Sequence, residues 1–213
     1  MTLRTEQYLK QLQRWPVAGR HILAQFDAET VVVYQAYRPA IGHFAVKHQR
    51  FGGDFSLNRM SWIKPNFLWM MYRSGWGTKE GQEITLAVRL RRTGFDEILR
   101  RAVHSSYVTG VYTSTEDWKT RFAESPVRLQ WDPDHDPRGD KQARRAIQLG
   151  LAGEVLRQYA QNWIVSLEDI SAFVAEQRAH AQSYDFANLL TPQEEVYPIN
   201  NLAIARRIGI DRN

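Results

Sequence analysis

Thr30 to Tyr37 reads TVVVYQAY, a run that is β-branched or aromatic and nearly apolar throughout. Such a run is a buried strand. Pro39 follows at once, and its fixed φ suits the first turn of a helix over PAIGHFAVKHQ. A buried strand that runs straight into a helix must be covered by further elements, so the chain has to fold in layers of sheet and helix.

The remaining pattern alternates strands and helices without an internal repeat. Pro65 opens a second helix, NFLWMMYRS, apolar all round and ended by Gly75 or Gly77. Glu83 to Arg91 alternates, with Ile84, Leu86, Val88 and Leu90 on one face. Thr93 caps a helix carrying Phe95, Ile98, Leu99, Ala102 and Val103, and Tyr107 to Thr113 reads as another strand. Ser114 with Asp117 starts a short helix ending before Pro126; Val127, Leu129 and Trp131 then mark a strand, and DPDHDPRGD a turn. Lys141 to Trp163 reads as one long helix, and Ser166 with Asp169 starts another through Phe173 and Val174. The expectation is an α+β fold: a single compact domain, residues 1–213, with a mixed or antiparallel sheet flanked by helices. Residues 185–213 are expected to be an irregular tail packed on it, with one short helix at Leu202 to Ile208.

Composition bounds the chemistry. Cysteine is absent from the 213 residues, which removes thiolate catalysis, disulfides and Cys-zinc sites. The N-terminal MTLRTEQYLKQLQRWP has no signal-like apolar run, and nothing approaches the roughly 20 apolar residues of a membrane span. A soluble, cytoplasmic protein with no membrane partner is expected. A formal charge of +5 favours anionic partners, an anionic ligand, nucleotide or nucleic acid. No glycine-rich dinucleotide fingerprint or P-loop follows a predicted strand.

Three segments carry candidate site residues. At the strand-to-helix junction, Tyr34, Gln35, Tyr37 and Arg38 precede a helix N-terminus whose N–H groups and dipole favour phosphate. The competing reading makes the tyrosines core rings and pairs Arg38 with a carboxylate. Arg59 to Lys79, RMSWIKPNFLWMMYRSGWGTK, interleaves cations and aromatics, including Trp62, Trp69 and Trp76. Trp69, Tyr72, Arg73 and Trp76 share one helical stripe, flanked by Lys64 and Lys79; the alternative is a structural helix with an internal ion pair. Third come Gln130, Trp131 and Asp132 with Asp134, His135, Asp136 and Asp140. Pro133 and Pro137 break the spacing of a calcium loop, so turn chemistry and no metal is expected there.

VYQAYRP, then RMSWIKPNFLWMMYRSGWGTK, then QWDPDHDP, in that order, resemble the family catalogued as domain of unknown function number 4291, over most of the chain. The resemblance implies membership and no particular reaction. Two functions are weighed on the residues. One is a nucleotide-binding enzyme, in its specific form an NAD-dependent, ADP-ribosyltransferase-like transferase, with Arg38, Arg73 and Glu83 as catalytic candidates. In it Gln35 or Arg38 holds phosphate or nicotinamide, aromatics stack on the rings, and a carboxylate stabilises an oxocarbenium charge. Glu80, Gln82 and Glu83 resemble the acidic element of such enzymes, but stand earlier in the chain than is usual in that group. The other is a non-catalytic RNA- or DNA-binding module using aromatic stacking and Arg/Lys phosphate contacts. Tyr34, Gln35, Tyr37, Lys64, Trp69, Tyr72, Trp76, Lys79, Gln130 and Asp132 are the ligand-binding candidates for either.

Overall fold

The computed structural model describes residues 3–184 and 186–211. Its elements run β1 (Thr5–Gln7), α1 (Tyr8–Leu12), β2 (Gly19–Arg20), β3 (Leu23–Ala24), β4 (Thr30–Tyr37) and α2 (Pro39–His48). Next come β5 (Ser61–Ile63), α3 (Phe67–Ser74), β6 (Ile84–Arg91), α4 (Arg92–Arg101), β7 (Ala102–His104), α5 (Thr115–Glu124), β8 (Val127–His135) and β9 (Lys141–Leu151). The chain continues through α6 (Gly153–Gln158), a π-helical turn Tyr159–Trp163, β10 (Ile164–Asp169), α7 (Ser171–Gln182), β11 (Leu190–Pro192), β12 (Glu195–Val196) and α8 (Leu202–Ile208). The fold is α+β.

Two sheets organise it. One is antiparallel, in the order β10-β6-β4, with Thr30 opposite Arg91 and Tyr37 opposite Ile84. The other runs β2-β9-β8-β7, and β5 joins β9 through Ser61 opposite Leu151. Backbone pairing ties the sheets where the Tyr34 N–H donates to Lys64 O at 2.7 Å and the Lys64 N–H donates to Tyr34 O at 3.3 Å.

Parity in β4 explains the core. Val31 and Val33 join Leu86, Val88 and Leu90 of β6 in a cluster with Leu129, Ile147, Leu149 and the apolar faces of α4 and α6. Val32 and Tyr34 point the other way, into a second cluster with Phe67, Met70 and Met71 of α3 and Val174 and Ala181 of α7. The β4 strand is therefore covered on both faces, as its uniform apolarity requires. Helix α3 starts where the Asn66 side chain accepts the Trp69 N–H at 2.7 Å, and ends where Gly75 turns left-handed at φ 58.

Several expectations are corrected. Lys141 to Trp163 is not one long helix but the eleven-residue β9, the short α6 and the π-helical turn. Ala146, Ile147, Gly150 and Leu151 fit a helical period as well as an alternating one, and pairing with β8 from Val127 opposite Leu151 to Pro133 opposite Arg145 decides between them. Tyr107 to Thr113 forms no strand, only an isolated bridge between Thr109 and Tyr112. Ala102 and Val103 leave the predicted helix to form β7 beside β8, and Ser166 to Asp169 lies in β10, with the helix starting at Ser171. The segment expected to be an irregular tail contains β11 paired with β1 and β12 paired with β3, besides α8 at the predicted Leu202 to Ile208. Asp185, Arg212 and Asn213 of that segment lie outside the described residues.

A buried ion pair closes the far end of β8 and β9. Arg144 donates to Asp134 Oδ2 through Nη2 at 2.6 Å and Nε at 2.8 Å, and through Nη1 to Pro16 O at 2.7 Å. Both side chains are buried, and the Trp15 ring lies 5.2 Å from the guanidinium.

Candidate functional site

The sequence-predicted residues gather in two neighbourhoods. The first is a cleft of about 500 Å³ at the end of β4, lined by Tyr37, Arg38, Asp54, Phe55, Arg59 and Ser61, among others. Arg38 precedes α2 and its Nη2 bonds Asp54 Oδ2 at 2.9 Å, with both side chains more than half exposed. Exposed pairs of this kind are worth ~0–1 kcal/mol, so a ligand anion can take the place of Asp54. Arg59 is exposed and makes no ion pair among the described residues. Gly81 lies in the wall, and its N–H donates to Glu83 Oε1 at 2.8 Å.

A buried amide fixes the floor of this cleft. Gln35 Nε2 lies 2.7 Å from Tyr37 Oη, 2.9 Å from Ser61 Oγ and 3.1 Å from Trp62 O, and its Oε1 accepts the Tyr159 hydroxyl. Tyr37 Oη and Ser61 Oγ are 2.7 Å apart. Burial pushes the Tyr37 phenol above its ordinary range, so it stays a neutral donor. Gln35 thus finds the partners that a polar group inside an apolar strand needs, and they orient two hydroxyls at the cleft. Tyr34 points to the opposite face, fully buried against Phe67 at 5.4 Å, and is a core ring.

The second neighbourhood is the polar face of the large sheet. Trp62 of β5 lies opposite Gly150 of β9, Lys64 follows β5 directly, and Gln148 of β9 pairs with Gln130 of β8. Gln148 Nε2 donates to Gln130 Oε1 and to Asp132 Oδ2, both at 2.7 Å. Gly150 makes room for its neighbours here: a Cβ would sit 2.6 Å from Met60 Sδ and 3.0 Å from the Trp62 ring, so those side chains would have to shift. Met60 also lines the cleft, so the two neighbourhoods share a wall. Lys64 is 6% exposed and its amine makes no hydrogen bond or ion pair among the described residues. Burial first, and then the Arg73 charge, lower its pKa to about 8, against an opposing pull from Asp132.

Helix α3 contributes differently from its sequence pattern. Trp69 is 5% exposed and stacks at 5.2 Å on His135, which in turn lies 3.6 Å from the Tyr72 ring. Trp76 packs on Phe67 and donates to Pro137 O at 3.2 Å. Arg73 is exposed rather than buried, so it needs no internal ion pair, and Lys79 Nζ donates to its carbonyl at 2.6 Å, capping the helix. Neither Arg73 nor Lys79 lines the cleft of Arg38, so the three cations do not converge on one hollow.

A largely buried amine without a hydrogen-bonded carboxylate costs stability, and the sign follows from its depressed pKa. Between pH 8 and 10.5 the unfolded chain holds the Lys64 proton that the folded chain has lost, so stability rises with pH across that window. Lys64→Met is expected to raise stability at pH 7 by about 2 kcal/mol, a gain that fades toward pH 10. Urea unfolding midpoints at pH 7 and pH 10 check it; a destabilised variant at pH 7 contradicts it.

Asp54, Arg59 and Ser61 were not singled out in the sequence, although Arg59 and Ser61 lie inside the quoted aromatic segment. Gln148 and Tyr159 were hidden by the helical reading of Lys141 to Trp163. A second cleft of about 410 Å³ lies between α4 and the C-terminal segment, but its charges are engaged: Arg92 bonds Tyr197 Oη and Asp27 O, and Glu97 bonds Arg100 and Arg101. No helix of the described residues is long and apolar enough to cross a membrane. No curated protein matches this chain. The family model described as Domain of unknown function (DUF4291) matches residues 21–197, most of the chain, and the protein belongs to that family.

Proposed function

We propose that the cleft at the end of β4 binds a nucleotide and that the protein is an enzyme of the group-transfer type acting on it. The observation that carries this reading is the coincidence of an exposed, unpaired guanidinium on Arg59, a second on Arg38 held only by a solvent-exposed carboxylate, and a hydroxyl-bearing floor in one open cleft. Two guanidiniums suit the oxygens of a diphosphate, and the apolar flanks of Tyr37, Ile41 and Phe55 suit a planar base or sugar. The volume of about 500 Å³ falls in the usual range for ligand pockets.

In the ADP-ribosyltransferase-like form of this reading the nucleotide is NAD, as substrate. Glu83, bonded to the wall residue Gly81, is the carboxylate assigned to the positive charge developing on the ribose. The nucleic-acid reading has less support, because Trp69 and Trp76 are engaged inside the protein and do not form an open stacking platform with Trp62.

Calorimetric titration with NAD, ADP and a single-stranded oligonucleotide at two ionic strengths tests the proposal. Heat is expected with NAD and ADP, with affinity changing by about tenfold or less between 50 and 200 mM salt, as befits two phosphate contacts. Binding of the oligonucleotide alone, with a loss of about a thousandfold over that range, would favour the nucleic-acid module instead. No heat with any of the three would remove both.

A further inference from the structure

We propose that a third cleft, of about 350 Å³ where α4, α5 and α8 meet, binds a small phosphate monoester. Arg101, Arg121 and Arg207 hold the phosphate, and the organic body rests on an apolar floor that includes Tyr112 and Pro126. None of these residues lines the cleft at the end of β4, so the inference stands independently of nucleotide binding there.

Three observations carry it. The first is that cations in the wall outnumber their partners. Arg100, Arg101, Arg121 and Arg207 all line the cleft, and Glu124 is the one acid among the lining residues. Glu97 serves both Arg100, at 2.6 Å, and Arg101, at 2.5 Å, while Asp117 serves Arg121 at 2.7 Å. Arg101 and Arg121 are bonded through Nε alone, which leaves the Nη1 and Nη2 fork of each open to an anion. Arg207 pairs with no carboxylate among the described residues, and its buried Nε–H has no acceptor there.

The second is that the Arg207 guanidinium is positioned without being neutralised. Its Nη2 donates to Leu99 O at 3.0 Å and to Arg100 O, carbonyls at the C-terminal end of α4. Ser125, just past α5, donates through Oγ to Arg101 O at 2.7 Å, so the three helix ends are fixed around one hollow. Burial, and then the charges of Arg100 and Arg121, lower the Arg207 pKa against an opposing pull from Tyr112. An arginine keeps its proton even so, and crowded guanidiniums are relieved by a dianion whose oxygens match their forks. The third is the floor. Ala102, Val103, Tyr112 and Pro126 lie beside the cations, and the Tyr112 hydroxyl accepts the His104 N–H at 2.9 Å, which holds the ring. Apolar lining with a few convergent charges, in a volume of this size, is the makeup of a small-ligand site.

Phenyl phosphate is the probe, titrated by NMR into nitrogen-15-labelled protein carrying Arg38→Ala and Arg59→Ala, so that the cleft at the end of β4 does not contribute. The Arg207 Nε–H signal, assigned by its loss in Arg207→Gln, reads the site. A saturable shift of that signal is expected, with a Kd of about 1 mM or tighter. Arg121→Gln should weaken binding about tenfold, the loss of one charge-assisted contact, and should fold normally because its pair with Asp117 is exposed. Glu124→Gln should strengthen binding a few-fold by removing the opposing charge. Inorganic phosphate, which has no apolar body, should bind several-fold more weakly than phenyl phosphate. No saturable shift, or equal affinity in Arg121→Gln, would overturn the proposal. Equal affinity for inorganic and phenyl phosphate would overturn the seat on Tyr112 and Pro126. A single-stranded oligonucleotide that displaces phenyl phosphate and loses about a thousandfold in affinity between 50 and 200 mM salt would replace the small ligand by a nucleic-acid backbone.

Discussion

Arg144→Met is expected to destabilise the protein by about 3–5 kcal/mol, read as a shift of the urea unfolding midpoint at pH 8. Asp134 is 1% exposed and Arg144 4%, and two of the guanidinium nitrogens converge on the same carboxylate oxygen. Removing the arginine leaves a buried carboxylate with only the His135 N–H, which reaches Oδ1 at 2.8 Å. Burial already pushes the Asp134 pKa up, with Arg144 the main opposition; without Arg144 the opposition falls largely to the His135 N–H and the group takes a proton more readily. The deficit should therefore shrink as pH falls from 8 to 5, because a neutral carboxyl is cheaper to bury. Adding Asp134→Leu should recover most of the loss, since an apolar pair of similar volume commonly replaces a buried ion pair without penalty. An Arg144→Met variant within about 1 kcal/mol of the original would mean that the pair is solvated in solution.

The second large effect concerns affinity. Arg38→Ala together with Arg59→Ala is expected to weaken NAD and ADP binding by about a hundredfold or more, since each charge-assisted contact contributes roughly 1.5–3 kcal/mol. Stability should change by less than about 1 kcal/mol, because the Arg38 pair with Asp54 is exposed and Arg59 is unpaired. That combination separates a ligand-binding role from a structural one. Asp54→Asn gives the opposite sign: with the competing carboxylate neutralised, Arg38 is freer for phosphate and nucleotide affinity should rise by a few-fold. Calorimetry on the variants reads all of these values; unchanged affinity in the double variant would place the nucleotide elsewhere.

Local pattern carried part of the fold. The β4 strand, its helix from Pro39, the aromatic α3 and the alternating β6 were legible because apolar spacing and turn residues within each segment suffice to choose their conformation. The β9 strand was not, because Ala146, Ile147, Gly150 and Leu151 satisfy two periods, and only pairing with the preceding strand β8 selects one. Misreading β9 also concealed the polar face of the large sheet, since β5 is aligned on β9 and Gln148 joins Gln130 to Asp132. Arg38 and Tyr37 were found from the strand-to-helix junction. Asp54 and Arg59 come from the aperiodic stretch between α2 and β5, where no spacing predicts which side chains meet across a cleft. The cations of α3 were recognised as a group, yet their exposure depends on how α3 packs against β4 and β8, which a helical stripe alone does not specify.

A diffraction structure of the protein soaked in ADP tests the central claim most directly. Phosphate oxygens within about 3 Å of the Arg38 and Arg59 guanidiniums, with Arg38 released from Asp54 and the Tyr37 and Ser61 hydroxyls facing the ligand, is the expected result. Nucleotide density lying away from the cleft, or a cleft unchanged at saturating ADP with the Arg38 to Asp54 pair intact, would contradict it.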